Sequence, residues 1–389
     1  MGEIIDKITI KGYKSIRDLE AFELGHTNVL IGPNGAGKSN FVSLFRLLRD
    51  LMDERLQLAL ATEGGADALL YLGPKVTKEL NVKLLFGQNG YEFTLQPTVD
   101  NRLVFSRELS IYIPPRRSGT ELPQYFGSGH FEARLKAHKD DSGYSAKHGP
   151  PHYVFEALSD WVVYHFHDTS LLSGVRRQGT INDNISLRWN AENLAAFIYR
   201  LQSTHGSYYE KIRDIVRLAA PFFDDFLLRP VPSNPDNIQL EWRQRGSDYP
   251  LLASQLSDGT LRFICLATAL LQPNPPRTML FDEPELGLHP YALSLLGGMI
   301  QKSVAPWGTP LNQVIISTQS ALLLNDFSPE DIIVVERVED QSEFRRLDSA
   351  QLSGWLADYT LGELWQKNLL GGRPQVDPAH AIPASGVIS

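Results

Sequence analysis

Cysteine is nearly absent. The 389-residue chain has one, Cys265, which excludes an internal disulfide and a cysteine-based zinc site. No apolar run approaches the roughly 18 residues that a membrane helix needs, and no signal peptide opens the chain. The expectation is a cytoplasmic protein with no membrane partner. Positive charge is in deficit: 37 Lys and Arg face 45 Asp and Glu, for a formal charge of −8. That balance does not describe a dominant basic surface for nucleic acid, although it leaves room for a local patch. Metal-ligand clusters are scarce too. His165, His167 and Asp168 stand together, but no further ligand group accompanies them. What remains, 42% hydrophobic and 21% charged, is an ordinary globular composition, long enough for one large domain or two lobes.

Against these absences stands Gly32-Pro33-Asn34-Gly35-Ala36-Gly37-Lys38-Ser39. It fits G-x-x-x-x-G-K-[ST], the phosphate-binding loop of nucleotide hydrolases. Glycines let the backbone wrap closely and aim several N–H groups into one concavity. Lys38 supplies a mobile charge for the β- and γ-phosphates, and the Ser39 hydroxyl can ligate Mg²⁺. The apolar run His26–Ile31 predicts a buried strand entering the loop. Residues Ser39–Leu51 predict a helix leaving it, with its positive end toward the phosphates.

Around the loop, residues 3–24 predict two strands joined around Lys11-Gly12-Tyr13-Lys14-Ser15, an arrangement unlike a small GTPase. Strands are also expected over Glu79–Phe86, Tyr91–Leu95 and Arg102–Phe105, with a hairpin turn at Gly87-Gln88-Asn89-Gly90. Prolines bracket 114–151, which reads as a surface insertion. Its Arg116, Arg117, Arg134, Lys136, Lys139 and Lys147, interleaved with Tyr125, Phe126 and Phe131, leave a nucleic-acid contact as the sharper alternative. A helix is expected over Val154–Trp161, a strand over Val162–Phe166, and amphipathic helices over Asn190–Gln202 and Tyr208–Ala219. Phe226–Val231 and Ile238–Arg243 read as a β pair across a turn at 232–237.

In the second half, Leu256-Ser257-Asp258-Gly259-Thr260 opens a buried helix whose N-terminal N–H groups and Ser257 hydroxyl offer an anion site. About twenty residues on, Thr278-Met279-Leu280-Phe281-Asp282-Glu283 is an apolar strand ending in two carboxylates. Asp282 is placed to hold Mg²⁺, and Glu283 to accept a proton from an attacking water. Further strands, Gln313–Thr318 and Asp331–Glu336, imply a parallel sheet with its chemistry at the C-terminal edge.

The order P-loop, Leu-Ser-x-Gly signature, apolar strand with Asp-Glu resembles the ABC-type ATPases. The opening Ile10-Lys11-Gly12-Tyr13-Lys14-Ser15-Ile16, the stretch Asp282-Glu283-Pro284-Glu285-Leu286-Gly287-Leu288-His289-Pro290, and Thr318-Gln319-Ser320 resemble the SMC/RecF/OLD branch, over about residues 1–340. The implied fold class is α/β, a P-loop NTPase of ABC ATPase head type with a mixed sheet, an antiparallel β layer and a helical lobe. The layout expected is lobe I over 1–113, the insertion over 114–151, lobe II over 152–340, a C-terminal helical cap over 341–373 and a disordered tail over 374–389.

By that resemblance Gly35, Ala36, Gly37, Lys38 and Ser39 bind phosphates and Mg²⁺, while Lys14, Asn34 and Asn40 line the nucleotide. Asp282 holds the metal together with Ser39, and Glu283 and Gln319 are catalytic. Ser257, Asp258 and Gly259 touch the γ-phosphate of the other subunit. The implied assembly is a homodimer with ATP sandwiched head-to-tail, a higher oligomer being left open. Gln319 replaces the family's switch histidine and Asp258 a usual glycine; Gln88 and Gln96 are the candidates for its metal-coupling glutamine. The expected function is an ATP-binding and -hydrolysing dimeric switch, slow in turnover, that controls a separate nuclease or toxin in phage defence or DNA maintenance. The alternative is a RecF-like ATPase that binds DNA directly; a transporter head and a non-hydrolysing scaffold are weaker readings.

Overall fold

Two six-stranded sheets face each other across a shared apolar layer. The structure, a computed structural model, describes residues 4–115, 119–140, 149–304 and 312–372. Along the chain run β1 (Lys7–Tyr13), β2 (Ile16–Glu23), β3 (Thr27–Ile31), β4 (Leu80–Phe86), β5 (Asn89–Pro97), β6 (Leu103–Tyr112), β7 (Leu122–Gly127) and β8 (Trp161–Tyr164). The short strands β9 (Gly179–Thr180), β10 (Phe223–Leu227), β11 (Pro230–Val231), β12 (Asn234–Ile238), β13 (Glu241–Gln244) and β14 (Pro250–Leu252) come next. Last are β15 (Thr278–Asp282), β16 (Gln313–Ser317), β17 (Ile332–Val338) and β18 (Gln341–Arg346). The first large sheet is antiparallel, in the order β2-β1-β4-β5-β6-β7. The second, β18-β17-β3-β16-β15-β8, is parallel except for its edge strand β18.

The parallel strands are buried on both faces, as such strands must be. Their alternation divides the interior in two. Leu30, Leu280, Ile315, Ile333 and Val335 point into the layer between the sheets. Val29, Ile31, Met279, Phe281, Val314, Ile316, Ile332 and Val334 belong to the other core. The helices sort accordingly. On the inter-sheet side lie α1 (Lys38–Met52), α2 (Leu56–Glu63), α3 (Ala66–Leu69), α4 (Leu135–His138) and α5 (Pro150–Ser159). The other core takes α6 (Leu194–Thr204), α7 (Gly206–Ala219), α8 (Asp258–Leu271), α9 (Pro290–Val304), α10 (Ala321–Leu324), α11 (Ser349–Leu356) and α12 (Leu361–Gln366). Phe45 of α1 sits 5.3 Å from the Trp161 ring and 5.4 Å from Phe41, fixing the P-loop helix against β8.

Several expectations need correction. The stretch 114–151 is more than a surface insertion: β7 extends the antiparallel sheet, and Phe126, Ala133 and Leu135 enter the core. The cause is Glu108, fully buried on β6. A buried carboxylate needs partners, and it takes them from this stretch: His130 Nε2 at 2.7 Å and the N–H groups of Arg134 and Leu135, besides the Tyr91 hydroxyl. Arg134 donates to the Phe126 carbonyl and Lys136 pairs with Glu54, so these cations are engaged within the chain. Arg116, Arg117 and Lys147, and the tail 374–389, lie outside the described residues. The turn expected at 232–237 contains β12, which pairs with β11 and β9, while β10 pairs with β13. The cap expected over 341–373 begins with a strand, β18, before its two helices. Among the described residues no group of three or more His, Cys, Asp or Glu is placed to hold a metal, His165, His167 and Asp168 included, and no helix is long and apolar enough to cross a membrane.

Candidate functional site

The P-loop leaves the centre of the parallel sheet, between β17 and β16. Two of its glycines are dictated by neighbours. A Cβ on Gly32 (φ 151°) would lie 2.1 Å from the Val335 carbonyl, and one on Gly37 (φ 113°) 2.1 Å from Ser342 Oγ. No side chain caps α1, so its first N–H groups stay free for an anion. Lys38 is 4% exposed, and its ammonium donates to the carbonyls of Gly32 (2.7 Å) and Pro33 (3.1 Å). Burial holds its pKa below the ordinary lysine value, while Glu283, Asp282 and Glu285 pull it up. Asn34, Gly35 and Ser39 are exposed on the rim and Ala36 is buried. Asn40 donates to Ser15 Oγ at 2.7 Å, and Ser342 clasps the loop from below through the Ala36 carbonyl. Lys14, in left-handed backbone beside Ser15, is ion-paired with Glu63 at 2.9 Å.

The carboxylates Asp282 and Glu283 stand at the C-terminal end of β15, beside the end of β16. Ser317 donates to Asp282 Oδ1, and the Glu283 N–H donates to the Ser317 carbonyl at 2.9 Å. Glu283 has φ 43°, a left-handed conformation that a glutamate adopts only when its surroundings impose it. The Gln319 amide donates to the Glu283 carboxylate, and the Gln319 N–H to Glu285 Oε1 at 2.7 Å. Burial pushes the Glu285 carboxyl up, and its second oxygen is buried with no partner among the described residues. The structure thus brings Gln319, Glu283 and Glu285 into one cluster.

The Leu256–Thr260 turn caps α8: Ser257 Oγ accepts from the Thr260 N–H at 3.2 Å. A Cβ on Gly259 would meet the Gly287 carbonyl at 2.1 Å. The turn therefore packs directly on the stretch after Glu283. Ser257 and Asp258 face solvent. Within its own chain Ser257 bonds to Thr260 and not to the P-loop.

Other functional neighbours had no signal in the sequence. Arg262 of α8 donates to the carbonyls of Phe166, His167 and Leu286, and the almost buried Arg176 reaches Asp258 at 2.7 Å. His165 and His167, candidate metal ligands by residue type, flank Asp282 instead: His167 Nε2 donates to its carbonyl at 2.7 Å. Arg46 of α1 donates to His165 Nδ1 at 3.3 Å. Burial, with His167 and Arg46 beside it, holds the His165 imidazole below its ordinary value. Gln88 and Gln96, the glutamine candidates, lie instead at the β4–β5 turn and on β5, in the antiparallel sheet.

The residues fit a magnesium nucleotide. Ser39 and Asp282 each carry oxygen donors of the kind a hard cation takes. The glycine cradle that Cβ atoms would fill, with Lys38 beneath it, suits phosphate oxygens.

The fold and this cradle are those of a P-loop domain of the SMC-head type. A crystal structure of an SMC head bound to the C-winged helix domain of ScpA superposes with a TM-score of 0.57 at 14% identity, covering 90% of this chain and 99% of that one. The head with an extended coiled coil from Pyrococcus furiosus, bound to the C-terminal domain of ScpA, gives 0.54 at 14% identity over 91% and 99%. The chain belongs to the family described as "AAA domain, putative AbiEii toxin, Type IV TA system", which it matches over residues 27–325. A curated relative, urease accessory protein 2 of Cryptococcus neoformans var. grubii, is 35% identical over 112 residues, 28% of this chain but 8% of that protein.

Proposed function

We propose that this chain is an ATP-hydrolysing switch. Two copies close head-to-tail on ATP, and the closed state controls a separate effector, a nuclease or toxin, in phage defence or DNA maintenance. One observation carries the reading. The phosphate half-site (Asn34, Gly35, Ser39) and the serine half-site (Ser257, Asp258) are both exposed, and neither is completed by the other within the chain. The family's description, with its toxin–antitoxin wording, supports the defence context.

In this reading Lys38 leaves the Gly32 and Pro33 carbonyls for the β- and γ-phosphates. Mg²⁺, when bound by Ser39 and Asp282, supplies charge neutralisation to the phosphates. Glu283, oriented by Gln319, takes the proton of a water whose oxygen bonds the γ-phosphorus. The bond from that phosphorus to the bridging oxygen breaks, and the oxygen leaves with ADP. Gln319 carries no titrating charge, which fits slow turnover. The RecF-like alternative has less support, since Arg134 and Lys136 are spent on internal contacts.

The test is Glu283→Gln with ATP and Mg²⁺. Phosphate release falls about 10²–10⁴-fold, the usual weight of a general base, and light scattering shows an ATP-dependent dimer that Lys38→Ala abolishes. A wild-type chain that releases no phosphate, or a Glu283→Gln chain that stays monomeric with ATP, overturns the proposal.

A further inference from the structure

The chain contains two Asn-Gly pairs, Asn34-Gly35 and Asn89-Gly90. Such a pair has a chemistry of its own. The glycine brings no Cβ to shield its main-chain nitrogen, which stands next to the asparagine side-chain amide. The fold treats the two pairs in opposite ways. Asn89-Gly90 lies in β5, where Gly90 stands opposite Leu85 of β4 and Ile111 of β6. Gly90 is buried, and a Cβ there would lie 2.8 Å from Leu85 Cδ2 and 3.0 Å from the Leu84 carbonyl oxygen. Two ladders hold this backbone extended, whereas closing a ring onto the Asn89 side chain would need it bent. Asn34-Gly35 is the tip of the P-loop, and both residues are exposed. The turn around them is closed by the Ala36 N–H, which donates to the Pro33 carbonyl at 3.2 Å. Among the described residues neither the Asn34 side chain nor the Gly35 N–H has a hydrogen-bond partner. Gly35 has φ 80° and nothing within 4 Å of its Cβ position. Nothing in the fold holds its nitrogen away from the Asn34 amide.

We propose that Asn34 is a site of spontaneous deamidation that retires the P-loop, and that bound nucleotide protects it. The Gly35 nitrogen, losing its proton to solvent, attacks Asn34 Cγ. A carbon–nitrogen bond forms, the bond from Cγ to the side-chain nitrogen breaks, and that nitrogen takes a proton from water and leaves as ammonia. A second water opens the cyclic imide at either carbonyl, leaving aspartate or isoaspartate. Either product sets a carboxylate at the lip of a cradle built for phosphate. Isoaspartate also lengthens the main chain by a methylene inside the turn that the Ala36 N–H closes. The protection rests on the preceding reading, in which the N–H groups of the loop bond the phosphates. An N–H engaged in that way neither gives up its proton nor turns toward Asn34. A switch kept loaded is preserved, and an idle one decays.

The test holds the full chain in mildly alkaline buffer and follows its peptides by mass spectrometry in three arms: alone, with ATP and Mg²⁺, and unfolded in urea. Alone, Asn34 should convert at nearly the rate of the unfolded chain, while Asn89 stays intact until the chain unfolds. ATP at about ten times its dissociation constant should slow the conversion of Asn34 about tenfold, in line with the fraction of loops left empty. Binding of a fluorescent ATP analogue should fall in step with the share of Asn34 converted. Asn34→Asp, the direct product, should bind it at least about tenfold more weakly, because like charges are brought together. An Asn34 that lasts as long as Asn89 in the folded chain overturns the proposal, and so does converted protein that binds the analogue like the parent. A chain that binds the analogue but loses Asn34 equally fast with ATP overturns the protection. A chain that binds no nucleotide at all overturns the ATP reading, and the protection with it; selective loss of Asn34 over Asn89 would then still uphold the modification site.

Discussion

Replacing Gly259 with alanine should lower stability, although glycine is a poor helix residue and this one lies in the first turn of α8. The substitution has two opposed effects. Helix propensity favours alanine by about 0.5–1 kcal/mol. Against that, the new Cβ would stand 2.1 Å from the Gly287 carbonyl oxygen and 3.1 Å from its carbon. The obstacle is backbone, and Gly287 is itself in left-handed conformation with the Arg262 guanidinium 3.2 Å from where its own Cβ would be. The Gly287 backbone cannot swing away as a flexible side chain would. Overpacking of this kind costs about 1–3 kcal/mol, so the net should be a loss of about 1–2 kcal/mol. Gly298→Ala is the control. Gly298 lies inside α9 with nothing within 4 Å of its Cβ position, so only the propensity gain of about 0.5–1 kcal/mol remains. Urea unfolding, fitted over the first cooperative transition, should therefore separate the two variants by about 2 kcal/mol in opposite directions from the parent. If Gly259→Ala is as stable as Gly298→Ala, the close packing of the serine turn on the 283–287 stretch is wrong.

Three further outcomes rest on the same geometry. Phe45→Ala, at a fully buried ring between Phe41 and Trp161, should cost about 3–5 kcal/mol; a loss below about 1 kcal/mol in the same urea assay would contradict the packing of α1 on β8. Glu285 holds its proton more tightly folded than unfolded, so its contribution is fully present below the ordinary carboxyl range and is lost as pH rises through the folded value. Glu285→Gln should thus melt above the parent near about pH 7, with the gap closing toward about pH 4; a gap that widens on acidification would reverse the assignment. Gln319→His, which adds a titratable ring next to Glu283, should raise phosphate release, and unchanged turnover would count against the proposal that Gln319 limits hydrolysis.

What could be read along the chain was whatever is local. The Gly32–Ser39 loop between an apolar strand and an amphipathic helix, and the apolar run that ends at Asp282 and Glu283, announce themselves within about ten residues each. Pairing across long separations left no trace. Nothing near Glu108 foretells that residues 130–135 will supply its hydrogen bonds, so the stretch after Pro115 read as mere surface. Proline at 235 hid a short strand that pairs by its neighbours. The contacts of Arg176 and Arg262 go mostly to carbonyl oxygens, and those are present at every position, so no residue type marks where an arginine will find them. His165 and His167 carried a recognisable chemistry but no positive assignment, because imidazoles near a carboxylate can serve a main-chain carbonyl as readily as a metal, and residue type does not say which.

The family match stops at residue 325, yet Val335 of β17 bounds Gly32, and Ser342 at the start of β18 reaches Ala36 and Ser15. A chain cut just beyond the last recognisable motif would keep every nucleotide-binding residue and lose the floor they stand on. The floor runs on past β18: Leu361, Leu364 and Leu370 are buried in the same core, and a Cβ on Gly372 would lie 3.4 Å from Gly32 Cα. The seam for grafting a new C-terminal module therefore lies after Gly372 and not after Arg346.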